Sequence, residues 1–120
     1  MSADTQNLGK RVNELLVLSA LRDGARHGYQ IALRVEERSG GAFALQHGTL
    51  YPILHRLEKE GLIQGSWTQE GGRQRKEYEL TRSGRRYLAE RTGEVLGAFE
   101  QLTRYLGEAH GGLRARPAEG

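Results

Sequence analysis

The chain has 120 residues, of which 37% are hydrophobic and 28% are charged, with no cysteine and a net charge of +3 at pH 7. No apolar run approaches the roughly 20 residues that span a bilayer, and a chain without cysteine has no disulfide framework. The first residues, "MSADTQNLGKR", lack the apolar core of a secretion signal. We therefore expect one small cytoplasmic domain without contact to a membrane.

Two helices are predicted in the first third of the chain. The stretch "VNELLVLSAL", residues 12–21, is apolar nearly all round a helical wheel, which is typical of a helix buried on most sides. In "RHGYQIALRVEERSGG", Gly28 can open a second helix whose inner stripe includes Ile31 and Val35. His27 is expected to cap this helix and Tyr29 to pack between helices. Residues 43–46, "FALQ", could add a short extended segment.

A third helix is predicted between Thr49 and Gly61, with Pro52 in its first turn. Its apolar residues follow the i, i+3, i+4, i+7 spacing of a buried stripe and are Leu50, Ile53, Leu54 and Leu57. The other side of this helix carries polar, charged and aromatic groups instead, namely Thr49, Tyr51, Pro52, His55, Arg56 and Lys59. This separation of faces leaves the second set free to contact a partner.

A β-hairpin and a long helix are predicted after the third helix. Alternation places Trp67 on one strand and Lys76 and Tyr78 on the next, with the glycines of "QEGGRQ" in the turn. Thr81 then caps a helix whose apolar residues repeat in nearly heptad fashion. Such a stripe requires a cover, so these residues are expected to form a homodimer interface: Leu88, Val95, Phe99, Leu102, Tyr105 and Leu106.

The order of these elements predicts a mostly α fold with a small β-hairpin, namely a winged helix-turn-helix with a long C-terminal dimerisation helix. We expect the DNA-binding domain to occupy residues 8–80 and the dimerisation helix residues 81–109. Residues 110–120, rich in glycine, are expected to form a flexible tail.

The outward residues of the third helix suit a DNA duplex. In a helix-turn-helix protein this helix enters the major groove. Tyr51 can donate or accept a hydrogen bond, Arg56 can bind phosphate or a guanine edge, and Lys59 supplies a point charge. Thr49, with the free backbone N–H groups of the first turn, can reach phosphate.

The hairpin adds positive charge beside this helix. Residues 73–86 contain six basic and two acidic residues, a balance of +4 that exceeds the net charge of the whole chain. Three of the basic residues belong to the hairpin, or wing, and are expected to contact phosphates: Arg73, Arg75 and Lys76. An ordinary solvated charged face would show the same composition, so position decides between the two interpretations.

Other functions find less support in the sequence. The four histidines have neither the spacing of a metal site nor a cysteine to complete one, so we expect no metal and no cofactor. No nucleophile motif or phosphate-binding glycine loop indicates an enzyme. A winged-helix dimer that binds another protein or a ligand without reading DNA stays open, although a protein-binding surface would favour exposed apolar residues over this basic one.

Three motifs resemble the PadR family of bacterial transcriptional regulators: "HGYQIALRVEERSGG", "GTLYPILHRLEKEGLI" and "KEYELTRSGRRYL". The resemblance extends over residues 15–88 and is strongest to the shorter members, which have a single C-terminal helix. It implies a homodimeric repressor of a double-stranded DNA operator that a small-molecule effector can release. It also implies contacts of Tyr51 with the DNA backbone, with Thr49, Pro52 and His55 nearby and Arg75 and Lys76 on the wing.

Overall fold

The computed structural model describes residues 8–114, which form four helices and one three-stranded sheet. In chain order the elements are α1 (Leu8–Ala20), β1 (Arg26–His27), α2 (Gly28–Arg38), α3 (His47–Lys59), β2 (Ile63–Glu70), β3 (Arg73–Leu80) and α4 (Arg82–Arg114). The winged helix-turn-helix arrangement with a long last helix is confirmed.

Helix α1 lies at the centre of the core and packs against each of the other three helices. Its residues Val17 and Leu18 have no exposed surface, and the same is true of Leu54 and Leu57 on α3. A helix covered on several sides needs apolar residues around most of its circumference. This explains the nearly uniform apolar character of residues 12–21.

Strands β2 and β3 form the predicted hairpin. They pair in antiparallel register, so that Trp67 lies opposite Lys76 on the same face of the wing. The two-residue turn consists of Gly71 and Gly72, with φ of +57° and +80°. A type I′ turn requires positive φ at both positions, which glycine adopts without steric cost.

The third strand of the sheet is not the one that the sequence predicts. β1 contains only Arg26 and His27, which pair with Tyr78 and Glu77 at the free edge of β3. Residues 43–46 have no regular secondary structure, so the extended segment predicted there is wrong. Two residues are too few to show an alternating pattern, and β1 exists because β3 offers it an unpaired edge.

Helix α3 begins two residues earlier than predicted, at His47. Thr49 therefore lies in the first turn, whereas Pro52 lies in the second turn and not in the first. At that position proline cannot donate the helical hydrogen bond to the carbonyl of Gly48, a loss that disfavours proline inside helices. The helix ends before Gly61, whose φ of +78° suits glycine, as predicted.

The junction between the wing and α4 is tightly packed. Thr81 Oγ1 accepts a hydrogen bond from the Gly84 N–H (2.9 Å) and donates one to the Gly61 carbonyl (2.7 Å). This confirms Thr81 as the cap of α4. Gly84 lies so close to Leu62 that a Cβ atom at residue 84 would overlap the Leu62 carbonyl. The start of α4 is thereby fixed to the loop between α3 and β2.

Helix α4 continues to Arg114 instead of ending at residue 109. Residues 110–114 thus extend the helix, while the rest of the predicted tail, 115–120, lies outside the described residues. Glycine costs a helix only about 1 kcal/mol relative to alanine, so Gly111 and Gly112 do not stop it. With 33 residues, α4 is about 50 Å long. Of the helices in residues 8–114, none is both long and apolar enough to cross a membrane.

The apolar stripe of α4 has a covered half and an open half. Leu88 and Val95 are only 7% and 8% exposed because α1 and the sheet cover the first half of the helix within the same chain. We therefore reassign these two residues from the dimer interface to the core. The exposed apolar residues of the second half are Leu96, Phe99, Leu102, Tyr105 and Leu106. This open stripe includes Leu96, which the sequence interpretation did not select.

Candidate nucleic-acid interface

The exposed side of α3 carries a ridge of four residues that points away from the core. The ridge consists of Gly48, Pro52, His55 and Lys59, all of which are exposed. Their spacings of four, three and four residues align them along one side of a helix. The opposite side holds Leu54 and Leu57, which have no exposed surface. The separation of faces expected from the sequence is therefore present, and nothing in residues 8–114 covers the ridge.

Tyr51 lies beside the ridge, on the flank of α3 that faces α2 and the wing. Its ring packs on the backbone of Gly28, where a Cβ atom would overlap the phenol oxygen. On another side, the ring of His47 lies 4.4 Å away between centroids. The aromatic ring of Tyr51 is thus held in place while 37% of the residue stays exposed.

An open groove of about 440 Å³ lies between this flank of α3, the start of α2 and the wing. The aromatic residues that line it are Tyr29, Tyr51, Trp67 and Tyr78, and the cationic residues are Arg73, Arg75 and Lys76. The Arg75 guanidinium lies 5.1 Å from the centroid of the Tyr29 ring, a cation–π arrangement. The groove therefore combines positive charge with flat apolar surfaces.

Arg73 and Arg75 are available to an external anion. Within residues 8–114, neither forms an ion pair with a carboxylate. Tyr29 orients Arg75 without neutralising it, because a ring carries no net charge. An arginine in this state can bind a phosphate without first breaking a salt bridge.

Lys76, in contrast, is tied to α3. Its Nζ lies 2.9 Å from Glu58 Oε1, and this hydrogen bond, with the nearby negative charge, raises the pKa of Lys76. The lysine reaches Glu58 across Gly65, where a Cβ atom would lie 2.5 Å from Lys76 Cε. Lys76 thus joins the wing to α3 in addition to lining the groove.

His27 braces the same region from behind. The residue is only 4% exposed, and its Nε2 lies 3.4 Å from Glu70 Oε1 on the wing. Its backbone N–H donates to Gln30 Oε1 at 2.8 Å, which is one half of a capping box. His27 occupies the N-cap position of α2, as expected, and the depth of its ring makes it a support for the groove wall.

Arg56 lies on the flank of α3 opposite Tyr51 and does not join the groove. Its Nη2 lies 2.7 Å from Glu14 Oε2 on α1, and its Nη1 lies 3.4 Å from Glu60 Oε1. Partial burial alone would lower the pKa of Arg56, but the hydrogen bonds and charges of the two glutamates raise it. The Arg56 guanidinium, which was expected from the sequence to contact DNA, is thus paired with two carboxylates.

Three of the acidic residues near this surface are held by cations or histidine. Glu58 is paired with Lys76, Glu60 with Arg56, and Glu70 with His27. A polyanion approaching the ridge therefore meets no unpaired carboxylate from these positions. In the described part of the chain, no three histidine or carboxylate side chains converge as metal ligands.

The structure gathers most of the residues selected from the sequence into one surface. Tyr51, Arg73, Arg75 and Lys76 line the groove, and Thr49, Pro52, His55 and Lys59 are exposed on the adjoining α3. Tyr29 and Trp67, 55% and 66% exposed, also line the groove but were not selected. Tyr29 does not pack between helices as expected. The alternation that places Trp67 opposite Lys76 could have identified the tryptophan.

A family model of transcriptional regulators matches most of the chain. The model described as "Transcriptional regulator PadR-like family" matches residues 17–90, which include α3 and the whole wing. A transcriptional regulator of Mycobacterium tuberculosis is 36% identical over 98 residues, covering 80% of this chain and 85% of that protein. The negative transcriptional regulator PadR of Bacillus subtilis is 35% identical over 79 residues.

Solved structures agree with the family match. A PadR family transcription regulator from Clostridium difficile superimposes with a TM-score of 0.68 at 33% identity, covering 78% of this chain and 96% of that one. Bacillus subtilis PadR in complex with operator DNA superimposes with a TM-score of 0.61 at 34% identity. That match covers 66% of this chain but only 45% of the Bacillus chain. The present chain therefore belongs to the PadR-like family of transcriptional regulators, which are DNA-binding proteins and not enzymes.

Proposed function

We propose that this protein is a homodimeric repressor that binds a pseudo-palindromic operator through α3 and the wing. The observation that carries the proposal is the continuity of the exposed ridge of α3 with a groove that holds Arg73 and Arg75 without carboxylate partners. A ridge free of core contacts can enter a major groove, and unpaired arginines beside it can bind the flanking phosphates.

In this proposal the ridge approaches the bases and its surroundings bind the backbone. His55 and Lys59 are exposed on the ridge and are placed to contact base edges or nearby phosphates. No side chain caps the start of α3, so its free N–H groups can bind a phosphate together with Thr49. Tyr51, Arg73 and Arg75 then bind phosphates from the groove.

The open stripe of α4 supports the homodimer. Its five apolar side chains are 38% to 70% exposed on a single chain. An apolar surface of this kind is normally covered, and a second α4 offers a self-complementary cover. Pairing through α4 would present two copies of α3 to successive major grooves about 34 Å apart.

The name of one relative suggests that this protein represses transcription. The Bacillus subtilis relative is named a negative transcriptional regulator, and this chain covers 43% of its length. A dimer bound across a promoter would exclude RNA polymerase. An effector would release such a dimer only if it favoured a geometry in which the two α3 helices no longer match the operator, because a ligand that binds both geometries equally shifts nothing.

Selection of bound fragments from random double-stranded DNA by the purified full chain tests this function. The proposal predicts enrichment of a two-fold symmetric sequence with half-sites about 10 base pairs apart. Enrichment of a single unpaired half-site would contradict the dimer. A complete lack of enrichment would instead favour a winged-helix dimer that binds another protein or a ligand without reading DNA.

A further inference from the structure

Glu14 is a buried carboxylate that the proposed DNA contacts do not use. It lies on α1 and is only 6% exposed. Arg56 of α3 binds one of its oxygens, with Nη2 2.7 Å from Oε2, and Tyr87 of α4 donates its hydroxyl to the other, with Oη 2.5 Å from Oε1. One side chain of α1 thus connects the recognition helix to the C-terminal helix.

The energetics of burial make these two hydrogen bonds important. A buried carboxylate is costly unless charge and hydrogen bonds compensate it, and removal of one partner leaves it poorly satisfied. The position of α4 is coupled to the same group through Tyr87, whose ring also lies 5.1 Å below the Arg91 guanidinium. Burial, followed by the hydrogen bond to Glu14, raises the pKa of Tyr87, so its hydroxyl stays protonated and able to donate.

The two ion pairs of α3 hold opposite flanks of the helix. Arg56 and Glu58 are two residues apart, which places them about 160° apart around the axis. Arg56 is fixed to Glu14 on one side, and Glu58 is fixed to Lys76 of the wing on the other side. The ridge that contains His55 and Lys59 lies between these flanks. The pairs together therefore set the rotation of the ridge about the helix axis.

We propose that Arg56 is a positioning residue for operator binding and acts through its ion pair with Glu14. Tyr87 couples the position of α4 to the same carboxylate. The inference rests on the proposed function, because it concerns how α3 is presented to DNA. It differs from the role expected from the sequence, in which Arg56 itself contacts phosphate or guanine. The two roles make different predictions for the salt dependence of binding.

The test measures operator affinity of the full-length protein at several salt concentrations, using the sequence enriched from random DNA. The variants are Arg56→Met, Tyr87→Phe and the double variant, with Arg75→Met as the matched control for a direct phosphate contact. Each neutralised phosphate contributes about 0.9 to the log–log salt slope, so Arg75→Met, which removes one contact from each subunit of the dimer, should reduce the slope by about 1.8. Urea unfolding of each variant identifies the conditions in which it is fully folded.

A positioning role predicts that Arg56→Met and Tyr87→Phe each weaken operator binding by about fivefold or more while leaving the salt slope unchanged. Both substitutions act on Glu14. The fold-loss of operator affinity in the double variant should therefore be smaller than the product of the two single fold-losses. Tyr87→Phe removes one oxygen and retains the ring, so it remains informative if Arg56→Met does not fold.

Two results would overturn the inference. A fall of about 1.8 in the slope of Arg56→Met, about 0.9 for each subunit of the dimer, would make Arg56 a direct phosphate contact. If the folded Tyr87→Phe protein bound the operator with wild-type affinity, α4 would not influence the position of α3 through Glu14. Failure of the proposed function has a different signature, because Arg75→Met would then leave both affinity and slope unchanged.

Discussion

The ring of Tyr51 lies directly on the backbone of Gly28, with no room between them for a side chain on residue 28. The contact joins the first turn of α2 to the recognition helix α3. It also forms one wall of the groove beside the wing. The Tyr51 ring can therefore occupy its place only if residue 28, 23 residues earlier in the chain, has no Cβ atom.

This contact predicts that Gly28→Ala impairs operator binding. The new Cβ atom must displace the Tyr51 ring, and forced repacking of this kind costs about 1–3 kcal/mol. If all of that cost fell on the DNA-bound state, the dissociation constant would rise roughly 5- to 150-fold. Fluorescence anisotropy with operator DNA and urea unfolding measure the two effects separately.

The same change in a Tyr51→Ala background provides the control. Once the ring is gone, Gly28→Ala should be neutral or stabilise the protein, because alanine is favoured over glycine within helices by about 0.5–1 kcal/mol. Gly97→Ala, at a position on α4 with open space around it, gives the helix effect alone. An equal loss of operator affinity from Gly28→Ala in both backgrounds would contradict the proposed contact.

The face of α3 was predictable from sequence because its cause is local. Leu50, Leu54 and Leu57 repeat at helical spacing, and this spacing alone determines which side is buried. The wing was predictable for the same reason, since alternation and a pair of glycines define a hairpin. Each of these features depends only on residues that are close together in the sequence.

The role of Arg56 was not predictable, because it depends on a residue 42 positions away. On a helical wheel Arg56 belongs to the polar side of α3, and nothing in its neighbourhood shows that Glu14 of α1 will face it. The apolar stripe of α4 was ambiguous for a similar reason. A repeat of apolar residues shows that a face is covered, but not whether α1 covers it, as at Leu88, or another chain does.

A second prediction concerns the wing. Arg75→Met should reduce the log–log salt slope of operator binding by about 1.8, because a homodimer loses two phosphate contacts and each contributes about 0.9. Arg104→Met is the matched control, since Arg104 is exposed on α4 away from the groove, and its slope should remain that of the unmodified protein. Binding isotherms between about 50 and 200 mM salt cover the range in which such slopes are measured. An unchanged slope for Arg75→Met would remove the wing from the interface.

The open half of α4 leads to a third prediction. Leu102→Lys should convert the homodimer into a folded monomer, because Leu102 is already 43% exposed within one chain and a lysine there would be buried only in a dimer. Sedimentation velocity gives the oligomeric state. Gln101→Lys, an exposed neighbour outside the stripe, should stay dimeric.

Leu88→Ala should behave differently from Leu102→Lys. Leu88 is only 7% exposed within the chain, so its truncation should lower the free energy of unfolding by about 2–5 kcal/mol, the range for leucine in a core. Urea unfolding measures this loss at a fixed protein concentration. Two outcomes would contradict the division of the α4 stripe. One is a dimer that persists in Leu102→Lys, and the other is a Leu88→Ala protein that dissociates without any loss of subunit stability.

Site-specific DNA cleavage by a chelate attached to the protein shows most directly whether the ridge of α3 lies against DNA. The chain has no cysteine, so His55→Cys on the ridge and Glu100→Cys on α4 each provide a single attachment point for an iron chelate. We expect two symmetric clusters of cuts within the operator for the chelate at residue 55, and none there for the chelate at residue 100. Cleavage from residue 100 without cleavage from residue 55 would show that another face of the protein contacts the DNA.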